Sequence, residues 1–162
     1  MSIQTNIAIV GGGIGGLALA LHLHERGVAC DVFEAVAEVR ELGVGITLLP
    51  HAMRELAALG LQSAIEAAGI ENLESAFYNR HGQFIYRELR GRHAGYPVPE
   101  IGIHRGKLHK ILFDAAVQRL GAQHVHTERH DARAAVQGAF GVENEFFDRA
   151  PAGAAVGLGP VV

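Results

Sequence analysis

Three glycines and one acid indicate the chemistry this chain is equipped for. Gly11, Gly13 and Gly16 stand at GxGxxG spacing within GGGIGG, and Glu34 follows 23 positions after Gly11. In such a pattern the first glycine allows a tight turn, the second lets backbone approach a pyrophosphate, and the third lets a helix pack closely on a sheet. Gly12 and Gly15 add further freedom. A helix opening at Ile14 would direct unpaired N–H groups and the positive end of its dipole at the same anion. Glu34 lies near the roughly 20-residue distance at which an acid bonds a ribose hydroxyl. Its carboxylate accepts from a 2′-OH and repels a 2′-phosphate, which favours FAD or NAD over NADP.

These residues need particular elements around them. Ile7 to Val10 is a β-branched, wholly apolar run, as expected of a parallel strand covered on both faces. The helix after the turn carries Ile14, Leu17, Ala18 and Leu21 as its inward stripe, and Ala29 to Phe33 reads as a second strand that delivers Glu34. Strand, glycine turn, helix and acid-ended strand together specify a dinucleotide-binding βαβ unit far better than the glycines alone.

Composition narrows the class. With 162 residues the chain has room for little beyond one domain. Its 49% hydrophobic and 19% charged content is that of a soluble globular protein, and its net charge of −3 gives no basic footprint for nucleic acid. The longest apolar stretch, Ile7 to Leu21, is broken by five glycines and falls short of a membrane helix. No positive residue precedes it, unlike a signal peptide. Cys30 is the single cysteine, so no internal disulfide forms and a cytoplasmic setting fits. Within the second strand it reads as a small buried hydrophobe.

After Glu34, Gly43 and Gly45 allow close backbone approach, Ile46 to Leu49 is extended, and Pro50 suits the first turn of a helix that turns Met53, Leu56, Ala57 and Leu59 inward before Gly60. A shorter helix spans Ala64 to Ala68. Ser75 to Asn79 and Gln83 to Glu88 read as a hairpin around Arg80, His81 and Gly82, the start of a separate substrate-covering sheet. Arg87, Glu88, Arg90 and Arg92 read as a solvated strand end and loop. Leu108, Ile111, Leu112, Ala115, Ala116 and Leu120 recur at helical spacing, giving an amphipathic helix from near Gly106 to before Gly121. Arg105 at its start opposes the helix dipole, which a negatively charged partner would explain. Gln123 to Thr127 reads as a strand joining the parallel sheet. Among ten histidines, His22 and His24 do not face one another, and His124 and His126 share a strand face with no cysteine or carboxylate to complete a familiar metal set, so no metal is expected.

GGGIGG with Glu34, then ELGVGITLLP, then IHRGKLHKIL, in this order, resembles the FAD-dependent aromatic hydroxylases, the single-component flavoprotein monooxygenases, with the phenazine-modifying branch nearest. The resemblance implies an α/β fold: a Rossmann-like FAD-binding domain with a parallel sheet, plus the start of a second sheet. It implies FAD as cofactor, NADH or NADPH as electron donor, and a small aromatic substrate with O₂. It also implies cofactor contacts at Gly11, Gly13 and Gly16 for the pyrophosphate, at Glu34 for the adenosine ribose and at Val125 for the adenine, with further cofactor contacts at Ile14, Gly15 and Ala35. Arg105 matches an FAD-contacting arginine, and Gly43, Val44 and Gly45 match the loop beside the flavin. No catalytic acid or base stands out.

The resemblance runs from residue 3 to about 127, giving an FAD-binding domain over 1–127 with 70–102 as an insertion. The family's later Asp-Gly and Gly-Asp motifs are missing. Residues 128–162 read as an out-of-frame or truncated ending, with a divergent hairpin and flexible tail as the alternative. A shortened sheet would leave edges open to self-association. The chain alone is expected to be inactive. An NAD-binding dehydrogenase module and a non-catalytic remnant stay open as other readings.

Overall fold

The computed structural model describes residues 7–34, 44–127 and 155–156. Ile7–Val10 forms β1, in which the successive residues Ala8 and Ile9 are both buried. Neighbours in a strand point to opposite faces, so β1 is covered on both. After Gly11, helix α1 runs over Ile14–Glu25. Its buried residues are Gly16, Leu17, Ala20 and Leu21, whereas the sequence stripe had Ile14 and Ala18. Gly16 takes a place inside because it lies against the turn, and Ala20, one helical turn later, follows it. Strand β2, Cys30–Phe33, then pairs parallel with β1, from Ile7 opposite Cys30 to Val10 opposite Phe33.

Strand β3 (Gly45–Leu48) leads into α2 (Pro50–Ala58) and α3 (Gln62–Ala68). Pro50 opens α2, where a missing N–H costs nothing, and Met53 and Leu56 face inward. The two-residue strand β4 (Ile70–Glu71) precedes the hairpin of β5 (Glu74–Tyr78) and β6 (Phe84–Leu89). Asn79 shapes its turn by accepting from the N–H of His81 at 2.9 Å and of Gln83 at 3.0 Å. Strand β7 (Ile101–His104) runs directly into α4 (Arg105–Leu120). Strands β8 (Val125–His126) and β9 (Ala155–Val156) complete the described elements.

The chain divides into two compact units, one of residues 1–40 and 112–162 and the other of 41–111. The first holds a sheet of order β8-β2-β1-β9, parallel except for β9, which runs antiparallel to β1. Leu17, Leu21, Val32, Leu112 and Ala116 are fully buried in it. Arg119 near the end of α4 reaches Glu25 at the end of α1, 3.1 Å away. The second unit is built on the antiparallel order β3-β7-β4, with β5 and β6 as a separate two-stranded sheet. Strands β4 and β7 have no counterpart in the sequence reading. A two-residue strand carries no period, and IGIH was absorbed into the approach to α4.

The arginine cluster also differs from a simply solvated loop. Arg92 bonds Glu66 at 2.6 Å and Glu71 at 3.2 Å, and Arg90 donates to Ser75 at 2.9 Å and pairs with Glu88. The Gln62 amide first, and then Arg92, hold the Glu66 carboxyl below its usual range. These pairs are partly exposed, so each is worth little.

Cys30 is buried, its Sγ 3.9 Å from the Ala20 carbonyl oxygen. Burial first, and then the charge of Asp31, push its thiol up. Since the thiolate is the reactive form, Cys30 should resist iodoacetamide at pH 8 in the folded protein and react once urea unfolds it. Leu21→Ala should cost about 2–5 kcal/mol, read as a lowered urea midpoint.

Candidate dinucleotide site

In the first unit the parallel strands β1, β2 and β8 all end on one edge. In open α/β sheets that edge is where ligands bind. Gly11 turns there at φ +106°, a conformation that L side chains rarely adopt, and its N–H donates to the Phe33 carbonyl at 2.8 Å, extending the β1–β2 ladder. A Cβ on Gly16 would overlap the Gly11 carbonyl oxygen and come within 3.2 Å of Ile9 Cγ2. At Gly13, by contrast, a Cβ would meet nothing within 4 Å. Space therefore lies open beside the backbone that caps α1. Gly13 is the N-cap, no side chain caps the helix, and its first turn holds no acidic residue. Helix geometry leaves the N–H groups of such a first turn without intrahelical partners.

Glu34 is held into this turn twice over. Its backbone N–H donates to the His126 carbonyl at 2.7 Å, prolonging the β2–β8 ladder, and its Oε2 accepts from the Gly12 N–H at 2.7 Å. A charge-assisted bond of this kind is worth about 1.5–3 kcal/mol. Gly12 has its own steric demand, since a Cβ there would press on Glu34 Cβ at 2.9 Å. Val125 pairs with Val32 and is buried, one residue before the strand end that carries Glu34's partner.

The structure thus brings Gly11, Gly13, Ile14, Gly15, Gly16, Glu34 and Val125 into one unit. Val44, Gly45 and Arg105 belong to the other. There the Arg105 N–H donates to the Val44 carbonyl at 3.4 Å, and Gly45 pairs with His104 across β3 and β7. Arg105 is exposed at the first position of α4, and no ion pair to it occurs among the described residues. His104 Nδ1 accepts from the Gly106 N–H at 3.2 Å, which makes it a cap for α4. Ala35 and Gly43 lie outside the described residues, as does most of the segment after Thr127.

The sequence reading missed Asp31. Its Oδ1 stands 3.1 Å from His124 Nδ1 and 3.1 Å from His126 Nε2, and the His126 ring stacks on Phe33 with centroids 4.6 Å apart. An ionised carboxylate only accepts, so both imidazoles donate to it. Asp31 is 93 residues from His124, and only the parallel register of β2 and β8 joins them. Among the described residues no group of three or more such side chains could hold a metal ion.

A glycine turn at the carboxyl edge of a parallel sheet, with an acid bonded into it, defines a dinucleotide-binding α/β domain. The chain belongs to the FAD binding domain family, whose sequence profile matches residues 4–154. It is 46% identical over 125 residues to phenazine 1,6-dicarboxylic acid hydroxylase PhzS of Lysobacter antibioticus, covering 76% of this chain and 31% of that protein. It is 37% identical over 110 residues to 3-amino-4-hydroxybenzoate 2-monooxygenase of Streptomyces cremeus, covering 65% of this chain and 28% of that one. Its fold is similar to that of 2-methyl-3-hydroxypyridine-5-carboxylic acid oxygenase, with a TM-score of 0.64, 23% identity, and coverage of 78% of this chain and 32% of that one. The chain spans about a third of the length of the relatives it matches. No helix among the described residues is long and apolar enough to cross a membrane.

Gly16→Ala places a methyl group against a backbone oxygen that no rotamer change can move. The expected loss exceeds the 1–3 kcal/mol typical of overpacking. A thermal melt of the variant within a degree or two of the parent would contradict this.

Proposed function

We propose that this chain is the FAD-binding part of an NAD(P)H-dependent flavoprotein monooxygenase that hydroxylates a small aromatic compound. The observation that carries the reading is the bond between Glu34 and Gly12: it fixes a ribose acceptor and a phosphate turn as one piece. An ionised carboxylate offers about four acceptor sites, so holding one N–H is compatible with accepting from a ribose hydroxyl. The open space beside Gly13 and the uncapped start of α1 fit the negative charge of a pyrophosphate.

In this reading Gly11, Gly13 and Gly16 hold the pyrophosphate, Glu34 the ribose and the Val125 backbone the adenine, with Ile14, Gly15 and Ala35 also lining the cofactor. Arg105 supplies a positive charge to the cofactor from a helix start that disfavours cations. Gly43, Val44 and Gly45 form the loop at the flavin end. Bound FAD, held by these residues, would supply the redox chemistry of the reaction: electrons from NADH or NADPH, one oxygen atom of O₂ delivered to an electron-rich ring and the other released as water. The protein contributes orientation and exclusion of water. The relatives named as hydroxylases and monooxygenases support this activity for the whole enzyme, and the aromatic substrate and O₂ are its partners. Turnover needs more than the third of a relative's length that this chain spans. A reducing cytoplasm suits the single, buried Cys30.

The test is a titration of the purified chain with FAD, and separately with NADH, followed by flavin fluorescence and calorimetry. Saturable FAD binding is expected. Glu34→Ala should weaken it at least about tenfold, the equivalent of about 1.4 kcal/mol. Gly13→Ala should fold with stability within about 1 kcal/mol of the parent yet bind FAD more weakly, because its methyl group enters the space the phosphate needs. Arg105→Ala should raise the Kd severalfold. NADH binding without FAD binding would overturn the reading in favour of a dehydrogenase module, and binding of neither would make the chain a remnant.

A further inference from the structure

Asp31 is a charged residue inside a parallel strand, between the buried Cys30 and Val32 of β2. Cys30 lies against the Ala20 carbonyl of α1, so its alternate neighbours Asp31 and Phe33 face the other side of the sheet. There Asp31 Oδ1 holds both His124 Nδ1 and His126 Nε2 at 3.1 Å, and the His126 ring lies flat on Phe33. None of these contacts is needed to bury a core side chain on α1.

What the cluster fixes is the end of β8. That strand is two residues long and pairs only with β2 among the described residues. So short a strand makes few ladder bonds, and these alone hold its last carbonyl weakly. Yet the His126 carbonyl is the acceptor of the Glu34 N–H, at 2.7 Å. Glu34 in turn accepts from the Gly12 N–H at 2.7 Å. His126 therefore meets Asp31 with its ring and Glu34 with its backbone, and a continuous chain of bonds runs from the Asp31 carboxylate to the glycine turn. Val125 is anchored separately, by its pairing with Val32 and by burial.

We propose that Asp31 is a positioning residue for the dinucleotide: by fixing His126 it sets the backbone of Glu34, and with it the direction of the Glu34 carboxylate. This rests on the reading that Glu34 holds the adenosine ribose. A hydrogen bond to a hydroxyl weakens steeply away from its best distance and angle, so a small displacement of Glu34 lowers affinity while the sheet stays folded. Asp31 itself does not touch the ligand, and most of its effect on binding passes through Glu34.

The test combines FAD titration of the 162-residue chain with the amide NMR spectrum of the same chain without ligand. Asp31→Ala should weaken FAD binding about three- to tenfold, the size of one or two modest hydrogen bonds. Asp31→Asn, whose amide oxygen still accepts, should stay within about twofold of the parent. In the Glu34→Ala background Asp31→Ala should cost less than about twofold, because residues that act through one another are not additive. Without ligand, the Gly12 amide proton, shifted by its charge-assisted bond to Glu34, should move in Asp31→Ala toward its position in Glu34→Ala. Circular dichroism checks folding, and if Asp31→Ala folds poorly, His126→Phe removes the same bond while keeping a ring on Phe33. Equal losses in both backgrounds would make Asp31 a brace of the fold alone and overturn the proposal. So would an unmoved Gly12 amide, or parent-like binding by Asp31→Ala beside weak binding by Glu34→Ala. Full binding by Glu34→Ala would overturn the ribose reading itself, and this inference with it.

Discussion

Among the described glycines Gly16 leaves the least room for a side chain, because the carbonyl oxygen of Gly11 stands against it. Helix α1 rises from β1 so closely behind it that position 16 can carry no side chain. That approach aims the first turn of α1 at the carboxyl edge of the sheet and brings Leu17, Ala20 and Leu21 down onto β1 and β2. A looser turn would lift the helix by the radius of a methyl group, and buried side chains would lose the dense contacts that stabilise a core. Packing and site geometry therefore share one cause.

The ladder does the rest of the positioning. Hydrogen bonds from Gly11 to Phe33 and from Glu34 to His126 carry the pairing one residue past each strand. As a result Glu34 has a fixed backbone before its carboxylate meets Gly12. The brace of Asp31 with His124 and His126 ties the short edge strand β8 to β2 with more than its few backbone bonds. Each of these imidazole contacts is partly exposed and modest by itself. Together with the Phe33–His126 stack they hold β8, and hence Val125, in register beneath the site.

The second unit is organised on a different principle. Strand β7 lies between β3 and β4, antiparallel to both, and is buried at Ile101 and Ile103. It passes without a loop into α4, so the position of Arg105 follows from the end of a central strand and from the His104 cap. The hairpin has no such support. Its aromatic pairs, Phe77 with Tyr86 and Tyr78 with Phe84, stay largely exposed.

Much of this was legible in the chain because it depends on local rules. The apolar run at Ile7 to Val10, the glycine spacing, Pro50, the Gly82 turn and the heptad-like stripe of α4 each act over a few residues, and the strands, helices and hairpin they indicate are present within a residue or two. Glu34 could be named because its distance from Gly11 is set by one helix and one strand. Tertiary structure decided whatever needed residues far apart in sequence. It bonded Glu34 into the turn, made Gly16 rather than Ile14 an inward position, and drew Asp31 to two histidines more than 90 residues away. It also revealed β4 and β7, strands too short to show a period of their own. Sequence spacing determines which face a residue occupies, but only strand register and the closeness of packing determine what that face meets.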